Sequence, residues 1–328
     1  MELRSQMGEA FVFPGTEKQK MRYRPYGGES GVQLRSHPDA LHPDNRQFQQ
    51  GIDYMVDGED GTIYRMARGA IPNWAVHPLY GQERFDHRDY EKISNATYTV
   101  YADYDYKIKQ VVVDEDRVAD ASNLMKRLQE KPSISLVVLG DSITMGAEIP
   151  DVKFTFAHRF AEQLHSKFSS SEVTLSMKAI GGETSGRGLL RLQEDVIASR
   201  PDVVTIGYGM NDQNGDVDRG NSVPPSEFEQ HIAAMIEQLR AQTDAAIILI
   251  TPCLPNPSWH FASRNVAEYA DSLRRLAIHF KVALADVQKL WVAELAAGKS
   301  NASLLMNNVN HPNEYGHSLY ARALAELL

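Results

Sequence analysis

SLVVLGDSIT, residues 135–144, runs an apolar stretch into Gly140 and then turns polar at Asp141 and Ser142. A short, nearly continuous apolar run that ends in glycine reads as a strand buried on both faces, and the polar pair after it reads as the turn into a helix. The pattern recurs four times, in VTLSMKAI (173–180), DVVTIGYG (202–209), AAIILITP (245–252) and VALADV (282–287). Helical stretches separate the runs. EFEQHIAAMIEQLRAQT (227–243), for example, spaces its apolar residues at the helical period. Five strands joined by crossover helices imply a parallel sheet between two helical layers, an α/β three-layer sandwich. Ligands of such sheets bind beyond the carboxyl ends of the strands, so the residues that follow each run are where chemistry is to be sought.

Upstream the grammar differs. Ten of the fourteen tyrosines fall by position 106, and TYTVYADYDYKI (97–108) alternates so that Tyr98, Val100, Ala102, Tyr104, Tyr106 and Ile108 share one face. That predicts a strand with one buried side. IDYMVDGEDGTIYRM (52–66) holds two such runs around a Gly-Asp turn, a hairpin signal. Residues 1–115 are therefore expected to form a small antiparallel, sandwich-like β domain, 116–132 a linking helix ended by Pro132, and 133–328 the α/β domain.

Composition narrows the function. The 328 residues are 42% hydrophobic and 23% charged with a formal charge of −9, which disfavours a nucleic-acid partner because phosphate contacts need clustered Lys and Arg. No run approaches the length of a membrane span, so no membrane partner is expected. MELRSQMGEAFVF lacks the basic-then-apolar order of a signal peptide, and the chain as written reads as cytoplasmic. Cys253, the one cysteine, excludes an internal disulfide and reads as a small residue near a strand end. Histidines in SHPDALHPD and VHPLYGQERFDH read as turn residues, and neither a metal nor a cofactor is expected.

The strand ends supply the candidates. Ser142 stands at a strand-to-helix turn, where a serine is either a helix cap or an exposed nucleophile. AIGGETSGRG (179–188) offers glycine N–H groups that can face an oxyanion, and GMND (209–212) offers the side-chain amide of Asn211, although such turns are commonly structural. HPN (311–313) precedes the last helix.

Taken in order and spacing, these four blocks resemble those of the SGNH, or GDSL-type, hydrolases, a flavodoxin-like family of serine esterases. The resemblance covers about residues 133–328. It implies Ser142 as nucleophile, with its own N–H, the Gly182 N–H and the Asn211 amide forming the oxyanion hole, and His311 as the base. One position departs from the family pattern: where an aspartate usually stands three residues before the histidine, this chain has Asn308. Asp286 and Glu314 are substitute acids, Glu314 being better placed as a helix-terminal charge. The reading favoured here is a Ser142-His311 dyad oriented by a neutral carbonyl, that of Asn308 or of the backbone, an arrangement that resembles some two-domain carbohydrate esterases.

The substrate expected is a small-molecule or oligosaccharide ester with a short acyl group, acetyl above all. Trp259 and His260, in the loop PCLPNPSWHF after the fourth α/β strand, are candidate substrate contacts, with loop packing the competing role. Short-chain lipase or thioesterase activity, acyl transfer to sugar and an inactive glycan-binding protein are the alternatives.

Overall fold

A computed structural model describes residues 1–108, 128, 129, 131–169, 171–219, 221–263 and 265–328. By its contacts the chain divides into two units. The first gathers Met1–Val113, Ser258–His260 and Val292–Gly316, and the second gathers Asp114–Pro257, Phe261–Trp291 and His317–Leu328. The sequence placed everything after 133 in one domain; the contacts instead group 258–260 and 292–316 with the N-terminal residues. The linking helix expected over 116–132 falls mostly outside the described residues.

The first unit is built from antiparallel strands. β1 (Glu2–Val12), β3 (Gln33–Arg35), β4 (Gln47–Phe48) and β7 (Thr99–Ile108) form one sheet in the order β1-β7-β3-β4; β2 (Gln19–Lys20), β5 (Tyr54–Asp57) and β6 (Thr62–Arg65) form another in the order β2-β6-β5. β5 and β6 are the hairpin expected from IDYMVDGEDGTIYRM, and Asp57 Oδ1 accepts from the turn N–H groups of Glu59 and Asp60. Val100, Ala102, Tyr104 and Tyr106 join Phe11, Leu34 and Ile63 in one core, as the alternation predicts.

The other side of β7 corrects the sequence reading. Thr99 and Tyr101 are buried too, so the first half of the strand is covered on both faces. Residues 292–316 cover Tyr101, whose hydroxyl donates to Glu314 Oε2 at 2.6 Å. The same segment is anchored by charge. Lys299 Nζ lies 2.6 Å from Glu9 Oε1 and donates to Ala10 O at 2.8 Å, while Glu294 accepts from Arg22 Nε at 2.7 Å and from Tyr315 OH at 2.8 Å. Burial pushes the Lys299 ammonium below its ordinary pKa, and Glu9 opposes that shift. Buried charges survive only when paired and hydrogen-bonded, so the segment is bound to its sheet by groups that have no good alternative.

The second unit contains the five parallel strands, β8 (Ser133–Gly140), β9 (Glu172–Ala179), β10 (Val203–Gly207), β11 (Ala246–Ile250) and β12 (Ala283–Ala285), in the order β12-β11-β10-β8-β9. α1 (Ser142–Met145), α2 (Phe156–Lys167), α3 (Ser185–Asp195), α4 (Pro225–Gln242), α5 (Val266–Phe280), α6 (Val287–Ala296) and α7 (Glu314–Ala325) complete the element order. Every residue of β11 is buried, as a central parallel strand requires. β9 is the exception, half-exposed along most of its length because it is an edge strand paired only with β8. Val137, Leu139, Val204 and Ile206 pack against Phe228, Ile232, Met235 and Leu239 of α4. These helical positions are spaced by three or four, so they form one stripe. Full burial of such side chains is worth about 1.5–3 kcal/mol each. Phe156 of α2 stacks on Tyr320 of α7 at 5.0 Å between ring centres. Among the described residues no helix is long and apolar enough to cross a membrane.

β8 lies between β9 and β10, so the chain steps from β8 to β9 on one side and then crosses back to β10 on the other. That is the switch point at which sheets of this kind open a crevice. Ser142, Gly182 and Asn211 follow β8, β9 and β10 respectively.

Candidate active site

Steric needs at the end of β8 explain its sequence. A Cβ on Gly140 would lie 2.2 Å from Thr144 Oγ1 and 2.6 Å from Gly207 O, so only glycine lets α1 turn back over the sheet this closely. Asp141 caps that helix, its Oδ1 accepting from Ile143 N at 2.9 Å. Ser142 is thereby the first residue of α1, where a backbone N–H stands outside the helical ladder, and the side chain is mostly buried.

The glycine pair after β9 lies beside it. A Cβ on Gly181 would come within 3.9 Å of Ser142 Cβ. Ile180 N donates to Gly140 O at 3.0 Å and Glu183 N to Ile180 O at 3.3 Å, closing a turn in which Gly182 has φ of +75°. A positive φ at that position selects glycine, and the turn's own hydrogen bond does not use the N–H groups of its two central residues. Glu183 pins the turn from below, accepting from Tyr208 OH at 2.6 Å and Arg191 Nε at 2.8 Å. Burial, then Glu183, pushes the Tyr208 hydroxyl far above its usual pKa, so it stays a donor.

The third turn is tied to the other two. Asn211 Nδ2 donates to Glu183 O at 3.1 Å and to Asp141 Oδ2 at 3.3 Å, so one amide joins all three strand-end turns. Asp212 accepts from Ser185 N at 3.0 Å, Ser185 Oγ at 2.5 Å and Gly209 N at 3.1 Å; its pKa is raised because burial outweighs these bonds. Ser142, Gly182 and Asn211 thus form one preorganised cluster in the second unit. A serine hydroxyl beside two kinds of fixed N–H donor is the arrangement needed to attack a carbonyl and hold the resulting oxyanion.

His311 and Asn308 belong to the first unit. His311 is half-buried, and its backbone is fixed at both ends: its N–H donates to Asn307 Oδ1 at 3.0 Å, and its carbonyl accepts from Met306 N at 2.7 Å. Asn307 Oδ1 also accepts from Val309 N and Asn310 N. Asn308 is buried with φ of +58°, the left-handed region that asparagine tolerates better than most residues. Its amide forms a reciprocal pair with Asn95: Asn95 Nδ2 donates to Asn308 Oδ1 at 2.8 Å, and Asn308 Nδ2 donates to Asn95 Oδ1 at 2.7 Å and to Ile93 O at 2.8 Å. Nothing in the sequence around SNATYTV marked Asn95. Its partner lies 213 positions downstream, beyond the reach of any local pattern.

The substitute acids have structural partners. Asp286 accepts from Arg274 Nε at 3.0 Å and Nη2 at 2.8 Å and from Thr251 Oγ1 at 3.2 Å. Burial works to raise its pKa, but Arg274 overcomes that and holds it below the usual carboxylate range. Glu314 holds Tyr101. Trp259 is buried, its indole N–H donated to His87 Nδ1 at 3.0 Å, so the contacts describe loop packing; His260 is exposed, its Nδ1 accepting from Arg84 Nε. Burial pushes the Cys253 thiol up to about 12, consistent with a packing residue.

The model of the GDSL-like Lipase/Acylhydrolase family matches residues 138–319, more than half of the chain. The chain belongs to that family. A curated relative, an arylesterase from Vibrio mimicus, is 28% identical over 152 residues, 46% of this chain and 70% of its own length. Among solved structures, an acetylxylan esterase from Geobacillus stearothermophilus is 25% identical with a TM-score of 0.51, covering 59% of this chain and 94% of that one. A two-domain esterase active on acetylated mannans, crystallised with mannopentaose, has a TM-score of 0.52 at 21% identity, covering 64% of this chain and 52% of that one. At that identity the likeness shows the fold alone. As a family member the chain is a carboxylic ester hydrolase.

Proposed function

We propose that this protein is a serine esterase that removes short acyl groups, acetyl above all, from carbohydrate. Ser142 Oγ attacks the ester carbonyl carbon while His311 accepts its proton. The carbonyl oxygen becomes an oxyanion held by the N–H groups of Ser142 and Gly182 and by Asn211 Nδ2. Its 3.3 Å bond to Asp141 is the longer of the two that Asn211 makes, and that hydrogen is the one a substrate oxygen can share. Collapse of the tetrahedral species breaks the bond to the sugar oxygen, which leaves with the proton from His311. Water, deprotonated by His311, then attacks the acyl-serine carbonyl, and His311 returns that proton to Ser142 Oγ as the acid leaves. Each oxyanion donor contributes roughly 3 kcal/mol to this barrier.

The observation that carries the reading is the joining of the three strand-end turns through Asn211, with Ser142 at their centre. The acetylxylan esterase, covered over almost its whole length, supports the acyl and sugar preference. His260, exposed where Trp259 is buried, is the better candidate substrate contact of the two.

The test is a series of 4-nitrophenyl esters of increasing acyl length, run beside acetylated xylan oligosaccharides with and without a free acceptor sugar. Fast cleavage of acetyl esters and release of free acetate are expected. A preference for octanoyl esters points to a lipase or thioesterase, acetyl appearing on the acceptor to a transferase, and binding without turnover to a glycan-binding protein.

A further inference from the structure

We infer that Asn95, in the N-terminal β unit, is the positioning residue for His311, acting through the backbone of residues 302–308, to which an amide pair with Asn308 also binds it. The inference rests on the reading of His311 as the catalytic base.

The hydrogen bonds allow only one arrangement of the pair. The indole N–H of Trp74 can only donate, and it points at Asn95 at 2.7 Å, so the oxygen of that side chain must face it. The NH2 of Asn95 therefore faces residues 302–308, where it meets Ala302 O at 3.0 Å, Leu305 O at 2.9 Å and Asn308 Oδ1 at 2.8 Å. Ile93 O can only accept, which fixes the NH2 of Asn308 in the complementary sense. A carboxylate at either position would set oxygen against oxygen. Position 308 thus requires an amide.

The path from Asn95 to His311 has one intermediate. Asn95 Nδ2 donates to Leu305 O at 2.9 Å, and the N–H of that same peptide, Met306 N, donates to the carbonyl of His311 at 2.7 Å. A shift of Asn95 therefore passes through a single peptide to the backbone that carries the imidazole. Asn95 itself is fully buried, and every polar group of its side chain is engaged. The ends of the segment are held separately, by Lys299 on Glu9 and by Glu314 on Tyr101. Loss of Asn95 loosens the middle of the segment without releasing it.

The experiment measures kcat and KM for 4-nitrophenyl acetate, together with thermal unfolding, in Asn95→Ala, Asn308→Ala, the double variant, Tyr101→Phe and His311→Ala. Displacing a base by about an ångström costs on the order of 10²-fold, so Asn95→Ala is expected to lower kcat by about 10- to 100-fold with KM within about twofold. The double variant should fall no more than about threefold below the weaker single variant, because the two side chains act as one unit. Tyr101→Phe, which loosens only the end of the segment, should lower stability and keep kcat within about twofold. If Asn95→Ala does not fold, Asn95→Ser replaces it, keeping a small polar group in the site without burying a charge, and the same loss in kcat is expected. Parent-like kcat in folded Asn95 variants, or losses that multiply in the double variant, overturns the inference while His311→Ala is inactive. Activity retained by His311→Ala overturns the base assignment itself.

Discussion

The strand ends of the parallel-sheet unit and the histidine segment of the N-terminal unit hold their candidate residues in place by opposite means. Asp141 caps the helix that starts with Ser142, and Gly182 sits in a turn closed by its own neighbours. Even Asn211 reaches only residues that themselves follow strands of the same sheet. His311, by contrast, lies on a segment held by Asn95, Glu9, Arg22 and Tyr101, all far upstream. Reactive groups that come with their own supports can be found as motifs. A group whose support is remote can be recognised by type, while what orients it stays hidden until the fold is known.

The largest expected effect would break the comparison outright. His311→Ala should lower kcat by about 10⁴-fold or more, on the precedent of catalytic triads. A loss below tenfold would mean that His311 is not the base. Next comes the nucleophile side: Asn211→Ala should reduce kcat by roughly 10²- to 10³-fold with little change in KM, since the oxyanion exists only along the reaction path. A rise in KM alone would make Asn211 a binding residue.

Asn308→Asp sharpens the contrast. In a triad a carboxylate at this position should help, but here it meets Asn95 Oδ1 and Ile93 O. We expect a loss of about 10- to 100-fold in kcat, similar to that of Asn95→Ala. A gain in kcat would show that the imidazole wants a charge and that the amide pair is incidental.

Much of this was legible in the sequence. The five apolar runs became β8 to β12, the alternation of TYTVYADYDYKI became β7, and three catalytic candidates lie together after successive strands because each motif is local. The buried second face of Tyr101 was not legible, since the residues that cover it lie some two hundred positions later. Neither was the pairing of residues 292–316 with the N-terminal sheet, because Glu294 and Lys299 look like ordinary surface charges until Arg22 and Glu9 are placed against them. Trp259 read equally well as a sugar platform or as packing, and its bond to His87, 172 positions upstream, is a contact that no local pattern shows.

The smallest effect concerns Asp286. If it only anchors Arg274, Asp286→Ala should cost on the order of 2 kcal/mol of stability, allowing for the partly exposed arginine, and leave kcat within about twofold. The depressed folded-state pKa gives this pair a pH signature. Its stabilisation is complete above the unfolded carboxyl value near ~4 and is lost as pH falls through the lower folded value. Asp286→Asn should therefore flatten the acid limb of the thermal-stability profile below about pH 4. An unchanged limb would place the acid sensitivity elsewhere.

The most direct measurement of the proposed mechanism, with Ser142 as nucleophile and His311 as its base, is the rate at which a serine-directed phosphonate labels the protein, followed by intact mass and peptide mapping. One adduct is expected, on Ser142, none in Ser142→Ala, and labelling slowed by at least about 10³-fold in His311→Ala and by about 10- to 100-fold in Asn95→Ala. Equal labelling rates in the parent and in His311→Ala, or stoichiometric labelling of Ser142→Ala, would contradict it.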